Sequence, residues 1–129
     1  MVLKVVDATE LRVGSNVIIE GEPYTIRSTE TSKTGKHGHA KCRMEAISMI
    51  SGKKKVLVIP GHERFEIPMI EKRKAQVLSI SGKIANIMDA ESFESFDLAI
   101  PEELEGQVQE SMTIEYWDIE GLKIMKRIF

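Results

Sequence analysis

The ten residues Ser32–Lys41, SKTGKHGHAK, concentrate groups able to do chemistry: amines on Lys33, Lys36 and Lys41 and imidazoles on His37 and His39. Between Glu30 and Glu45 there is no carboxylate, and Arg43 adds a further cation, so the sequence places no acid beside these groups. Such a local positive field attracts phosphate without selecting a base sequence. Gly35 and Gly38 flank Lys36 and admit positive φ on both sides, so the chain can reverse tightly and hold that amine out in solvent. Neighbouring cations favour the neutral form of an amine, which is the form that can be conjugated in a partner's site. The plain alternative is an ordinary hairpin tip with solubilising lysines.

Two other chemistries suggest themselves; the first fails and the second is disfavoured. A phosphate-cradling Walker loop needs Gly, four residues, then Gly-Lys-Ser/Thr ahead of a helix. Here Glu30 stands at the first glycine position and His37 follows Lys36, with a strand pattern beyond. His37, His39 and Cys42, with His62 elsewhere, offer nitrogen and sulfur, but their spacing matches no standard zinc pattern and the nearby ammonium groups oppose a dication. No metal and no cofactor are expected. Nor do nucleophile, base and orienting group fall into a recognisable arrangement, so no catalytic residues are assigned and an enzyme is not expected.

The elements that must position the loop follow from apolar periodicity. Upstream, Tyr24, Ile26 and Ser28 alternate with Thr25, Arg27 and Thr29. Downstream, Cys42, Met44 and Ala46 alternate with Arg43, Glu45 and Ile47. Both flanks read as strands, and the basic stretch is the tip of a long hairpin. Across the first half, short runs at 3–6, 17–20, 24–29, 41–50, 56–59 and 65–67 are divided by Gly14, Gly21, the basic loop, Gly52 and Pro60-Gly61, the pattern of a small β-barrel. Lys53-Lys54-Lys55 beside Ser51-Gly52 reads as a second, solubilising cationic turn.

The second half offers five strand candidates, 75–80, 84–88, 93–100, 112–117 and 122–128. Between the third and fourth, 101–108 has a proline start and early glutamates that suit a short helix. Five strands with an insert at that place predict an OB-fold. Phe93, Phe96, Tyr116 and Trp117 are expected mainly as core packing rather than base-stacking platforms. The chain is thus expected to be all-β, with an N-terminal SH3-like barrel over 1–69 and a C-terminal OB-fold domain over 70–129.

The run TSKTGKHGHAK, Thr31–Lys41, preceded by Ser28-Thr29-Glu30, resembles the signature of the archaeal and eukaryotic translation factor 5A family, the hypusine-containing proteins, and the chain is similar to the archaeal type. The likeness extends over the whole chain in length and order of elements, and the loop is its specific part. Cys42 departs from the small apolar residue that family members commonly carry there, which bears on packing and not on the loop. The resemblance implies the same SH3-like and OB architecture. It also implies that Lys36 receives the aminobutyl group of spermidine, and usually a hydroxyl afterwards, through deoxyhypusine synthase as modifying partner. It further implies a non-enzymatic factor that binds the ribosome and uses the hypusine- or deoxyhypusine-modified lysine to stabilise peptidyl-tRNA and promote peptide-bond formation at stalling sequences such as proline runs. Lys33, Thr34, Gly35, His37, Gly38, His39 and Lys41 would then be loop residues in contact with RNA. The competing expectation is a general RNA-binding module that acts through its basic N-terminal half without modification.

Composition fits either class. The 129 residues are 42% hydrophobic but only 5% aromatic, so aliphatic side chains must fill the cores. The single cysteine excludes an internal disulfide and suits a reducing cytosol, and no run is long and apolar enough to span a bilayer, so a cytoplasmic protein is expected. Residues 1–68 hold 11 Lys/Arg and 8 Asp/Glu, net +3, whereas 69–129 hold 7 and 12, net −5. Between Lys83 and Lys123 no basic residue occurs, so this surface is expected to be acidic and to repel nucleic acid.

Overall fold

A computed structural model describes the backbone of residues 2–33 and 40–129, with side chains from Lys4 onward within those spans. Among the described residues there are eleven strands and no α-helix, the remaining regular structure being two single turns of 3₁₀-helix. The chain divides into two compact units, 1–69 and 70–129.

In the first unit, β1 (Val2–Asp7), β2 (Asn16–Ile19), β3 (Glu22–Lys33), β4 (Ala40–Ser48), β5 (Lys54–Pro60) and β6 (Arg64–Pro68) form an antiparallel sheet in the order β1-β6-β2-β3-β4-β5, the SH3-like barrel. Glu20-Gly21 closes the β2–β3 hairpin with φ of 53° and 79°, between the paired residues Ile19 and Glu22. Positive φ at both central positions is the turn geometry that matches strand twist, and glycine takes the second without steric cost. Alternation then sorts the side chains. Cys42, Met44, Ala46 and Ser48 point inward from β4, where the first three join Val17, Ile26 and Phe65 in the core.

In the second unit, β7 (Ile70–Ser81), β8 (Ile84–Asp89), β9 (Ser95–Ala99), β10 (Thr113–Ile119) and β11 (Leu122–Ile128) form a sheet in the order β11-β10-β7-β8-β9. The outer strands β9 and β11 approach one another, so the sheet curls toward closure in the strand order of an OB-fold. Ala75, Val77, Ile87, Ile114, Tyr116 and Met125 lie in its core.

Several expectations are corrected. The helix expected at 101–108 is a single 3₁₀ turn, Glu102–Leu104. Gly106 at φ 79° diverts the backbone, and the buried Ile100 and Val108 tie down both ends of a segment too short to sustain an α-helix. The third strand starts at Ser95 rather than Phe93. Phe93 stands at φ 62° with 71% of its surface exposed, because Asp89 Oδ1 accepts hydrogen bonds from the Glu91 and Ser92 amides at 2.8 and 2.9 Å and the Phe93 amide returns to the Asp89 carbonyl at 3.0 Å. Tyr116 does pack in the core, and Phe96 meets it edge-on with ring centroids 5.3 Å apart. Trp117 is half-buried. Lys54 and Lys55 belong to β5 rather than to a turn, and both have carboxylate partners: Lys54 Nζ lies 3.6 Å from Glu45 and Lys55 Nζ 2.7 Å from Glu20.

Candidate functional site

The β3–β4 ladder carries the basic segment. Its register runs from Tyr24 opposite Ser48 to Lys33 opposite Ala40, with one irregularity between Ile26 and Ser28. Ile26 is the last buried residue of β3, and residues 30–33 are exposed, so the hairpin outruns the core that supports it. The structure thus defines a stem that ends at the Lys33–Ala40 pair. Thr34, Gly35, Lys36, His37, Gly38 and His39 lie outside the described residues.

On the stem, Lys33 and Lys41 are exposed, while the next inward residue, Cys42, is fully buried with its thiol 3.5 Å from the Thr31 hydroxyl. The cysteine is therefore core and not a ligand presented at the surface. Among the described residues, no group of three His, Cys, Asp or Glu side chains could hold a metal ion. Arg43 is not the unneutralised cation that the spacing suggests. It pairs in the ladder with Glu30, and its guanidinium reaches Glu45 at 4.0 Å. Glu45 gathers Lys54 and Arg43 around it and accepts a hydrogen bond from Ser28 at 3.2 Å. Lys54 first, then the Ser28 hydroxyl and Arg43, hold this carboxyl below its usual range against the opposing effect of burial. The hydrogen bond to Glu20 likewise raises the Lys55 ammonium above its ordinary value. Two cations remain clear of any described ion pair at the stem's end, Lys33 and Lys41, which face away from the core on opposite strands.

The return strand is fixed where it leaves the loop. The Gly61 amide donates to the Ala40 carbonyl at 2.7 Å, and the Gly61 carbonyl accepts from the Thr9 amide at 3.4 Å. A β-carbon at residue 61 would lie 2.9 Å from Thr9 Cγ2, 3.0 Å from Ala40 Cβ and 3.3 Å from the Ala40 carbonyl oxygen. Only glycine admits this approach without displacing its neighbours. Gly61 thus acts on the loop's base, a role the Pro60-Gly61 pair did not reveal in the sequence, where it read only as a strand divider. Beside it, Ala40, Lys41, Val58, Ile59, Pro60 and His62 line an open, mostly apolar cleft next to the start of β4. A paired stem, an exposed cationic end and an adjacent apolar surface can present a side chain to a partner. Among the described residues, these features assemble no nucleophile, base and oxyanion site.

Comparison with known proteins agrees with this arrangement. Residues 4–63 match the family model described as translation initiation factor 5A-like, N-terminal. The chain is 41% identical over 127 residues to translation initiation factor 5A of Methanosphaera stadtmanae, covering 98% of this chain and 96% of that one. It is 40% identical over 121 residues to the protein of the same name from Hyperthermus butylicus, covering 92% and 89%. Among solved structures it is similar to the eukaryotic translation initiation factor 5A from Methanococcus jannaschii, with a TM-score of 0.86 at 38% identity over 98% of this chain and 94% of that one.

Proposed function

Because the chain belongs to the translation initiation factor 5A family, we propose that this translation factor binds the ribosome and presents Lys36, converted to hypusine or deoxyhypusine, to peptidyl-tRNA. The observation that carries the proposal is the β3–β4 hairpin, whose paired strands outrun the core and end at Lys33 and Ala40 with the segment 34–39 between them. A stem of this kind positions a side chain at a distance from the fold, and positioning is what the role requires. Holding a reacting acyl-tRNA in place makes the step effectively unimolecular, and the ribosome supplies the chemistry.

The modification lengthens the reach. In the deoxyhypusine synthase reaction, the Lys36 amine becomes bonded to the butyl carbon that adjoins spermidine's secondary nitrogen; the bond between that carbon and that nitrogen breaks, and the nitrogen leaves with the propyl arm as 1,3-diaminopropane. The product carries a secondary and a primary amine on a side chain about twice as long, suited to phosphates and 2′-hydroxyls. Lys33 and Lys41, exposed at the end of the stem, support approach to RNA by their charge, while the half-neutralised Arg43 adds little. At stalling sequences such as proline runs, the modified side chain stabilises the acceptor end of the peptidyl-tRNA and so promotes bond formation.

The test is the intact mass of protein from its native source, followed by peptide mapping across residues 31–43. An added aminobutyl or hydroxylated aminobutyl group on Lys36 supports the proposal. An unmodified Lys36 in native material overturns it in favour of a general RNA-binding module. The Lys36→Arg variant separates the same readings by function: charge survives, so a general binder keeps most of its affinity, whereas the modification-dependent factor loses its effect on translation of a proline-run reporter.

A further inference from the structure

Residues 56–59 of β5 form an unbroken apolar run, although one side of the strand faces away from the core. Alternation sends Leu57 and Ile59 against the first unit's core and leaves Val56, Val58 and Pro60 outside, with 45% of Val56 and 67% of Val58 exposed. A strand with one face in water ordinarily alternates apolar and polar residues, whereas a strand covered on both faces reads as a continuous apolar run. β5 also stands at the edge of its sheet, hydrogen-bonded to β4 alone among the described strands. The row of N–H and C=O groups on its other side is a template for a further strand. Cations bracket the apolar row. Lys53 and Lys54 precede it, and register sets Arg43 beside Val58 and Lys41 beside Pro60. Glu45, the carboxylate beside Val56, is engaged by Lys54 and Arg43, whereas Lys41 and Lys53 are exposed and clear of any described ion pair. At the far end of the row, the open cleft of about 290 Å³ formed by Ala40, Lys41, Val58, Ile59, Pro60 and His62 offers room for an aliphatic side chain.

We infer that β5 is a docking edge for an extended segment of a partner protein, a short aliphatic run with acidic residues at both ends, which adds to the sheet as a further strand. Main-chain hydrogen bonds along the free edge supply affinity, and the side chains supply selection. The aliphatic residues cover Val56 and Val58 and reach the cleft, while the terminal carboxylates meet Lys53 at one end and Lys41 at the other. A second copy of this chain would bring lysines toward lysines, and like charges across paired strands oppose that union. RNA would use the cations and leave the apolar row bare. The contact does not require Lys36, so its outcome leaves the mass test of the proposed function standing.

The probe is the capped peptide Glu-Glu-Val-Leu-Val-Glu-Glu, added to the full chain and followed by hydrogen exchange. Amides of 55–59 that point away from β4 exchange only from unbound protein, so they should slow about tenfold when about nine-tenths of the chain is occupied. Exchange at Cys42, Met44 and Ala46 should stay at its free rate. Replacing the central leucine of the peptide by proline keeps the charge and breaks the ladder, and this peptide should lose the protection. The double variant Val56→Thr, Val58→Thr keeps branched side chains and charge but makes the row polar, and should weaken peptide binding about tenfold. The pair Lys41→Ala, Lys53→Ala should weaken it at low salt and less so as salt rises. The inference is overturned if the peptide does not bind or leaves the free-edge amides at their unbound rate. It is equally overturned if the proline peptide binds as tightly, or if the double threonine variant binds like the parent. Slowing of the same amides with chain concentration alone would replace it by self-pairing, and equal protection by oligouridylate would replace it by RNA contact.

Discussion

Glu45 in the first unit and Asp89 in the second are both carboxylates held below their usual range by neighbouring cations, and they differ in what else surrounds them. Around Glu45 the partners are Lys54 and Arg43, whose side chains are about half exposed, so water can replace either. Asp89 is 1% exposed. Arg73 donates to it through Nε at 2.7 Å and through a second guanidinium nitrogen at 3.2 Å, the amides of Glu91 and Ser92 donate to Oδ1, and the Tyr116 hydroxyl donates to Oδ2. The Arg73 bonds are the main cause of its lowered pKa, with burial opposing. The contrast teaches that charge near the hairpin is an adjustable surface field, whereas the charge in the second unit is part of its architecture. Asp89 ties β8 to β7 and β10 and shapes the 89–94 turn that carries Phe93.

The largest expected effect follows from breaking the buried group. Asp89→Asn keeps the shape but removes the charge, leaving the Arg73 guanidinium and two donors poorly matched. Loss of a buried ionic partner costs on the order of 3 kcal/mol. Unfolding followed by Trp117 fluorescence should shift to markedly lower denaturant, while hydrogen exchange of the first unit's core amides stays as in the parent. A parent-like Trp117 transition would mean that Asp89 is not structural.

The same group sets the pH limits of the second unit. Asp89 has a folded pKa below its unfolded value, so its stabilisation is present above the ordinary carboxylate range and is lost as pH falls below that range toward the folded value. Tyr116 has the opposite sign. Burial first, then its bond to Asp89, raises the phenol from 10.0 to about 12. Its stabilisation is therefore complete below pH 10.0 and is lost as pH rises toward about 12. Tyrosinate absorbance with Trp117 fluorescence should show one phenol titrating late and the Trp117 signal changing with it. A Tyr116 that titrates at the ordinary value would remove the second unit's alkaline limit.

These two carboxylates also show how much was legible in the sequence. Alternation in 42–46 identified the inward face of β4, because Cys42, Met44 and Ala46 face one continuous core. The glycine turns between the short runs of the first half were readable, as at Gly21, because their chemistry is local. Asp89 was invisible, since its partners lie at positions 73 and 116 and nothing in a linear reading joins them. The apolar edge of β5 was hidden for a related reason. The run 56–59 was readable as a strand, but its place at the rim of the sheet, with Arg43 and Lys41 beside Val58 and Pro60, comes only through register. The 101–108 reading failed because proline and glutamates at a helix start are equally compatible with one 3₁₀ turn, and the positive φ of Gly106 decided the matter. The loop's own motif was readable as a motif, while the clamp at its base required the approach of residue 61 to Ala40, a tertiary fact.

That clamp offers the next prediction. Gly61→Ala would set a β-carbon against Thr9 and Ala40 at distances that force movement of backbone as well as side chain. Overpacking of this kind costs about 1–3 kcal/mol. The displaced segment is the start of β4, so hydrogen exchange at residues 40–42 should accelerate more than exchange at Met44 or Ala46. Under the proposed function, the rate of spermidine-dependent modification of Lys36 should also fall. Uniform loss of protection across β4 would make Gly61 a general packing residue and remove its special connection to the loop.

The smallest effect is expected at Glu45, and it tests the comparison from the other side. Glu45→Gln abolishes the attraction to Lys54 and Arg43 but preserves an acceptor for the Ser28 hydroxyl. Because both cations are about half exposed, solvation replaces the lost attraction and exposed pairs of this kind contribute little to stability. Exchange of the Met44 amide should therefore stay at its parent value. What should change is the field: with one carboxylate gone beside Arg43, binding of the full chain to oligouridylate should strengthen modestly at low salt, and the gain should vanish as added salt screens it. A destabilisation as large as that of Asp89→Asn would show that the hairpin's surface charges hold up its fold. A parent-like stability with altered salt dependence would assign them to its encounters instead.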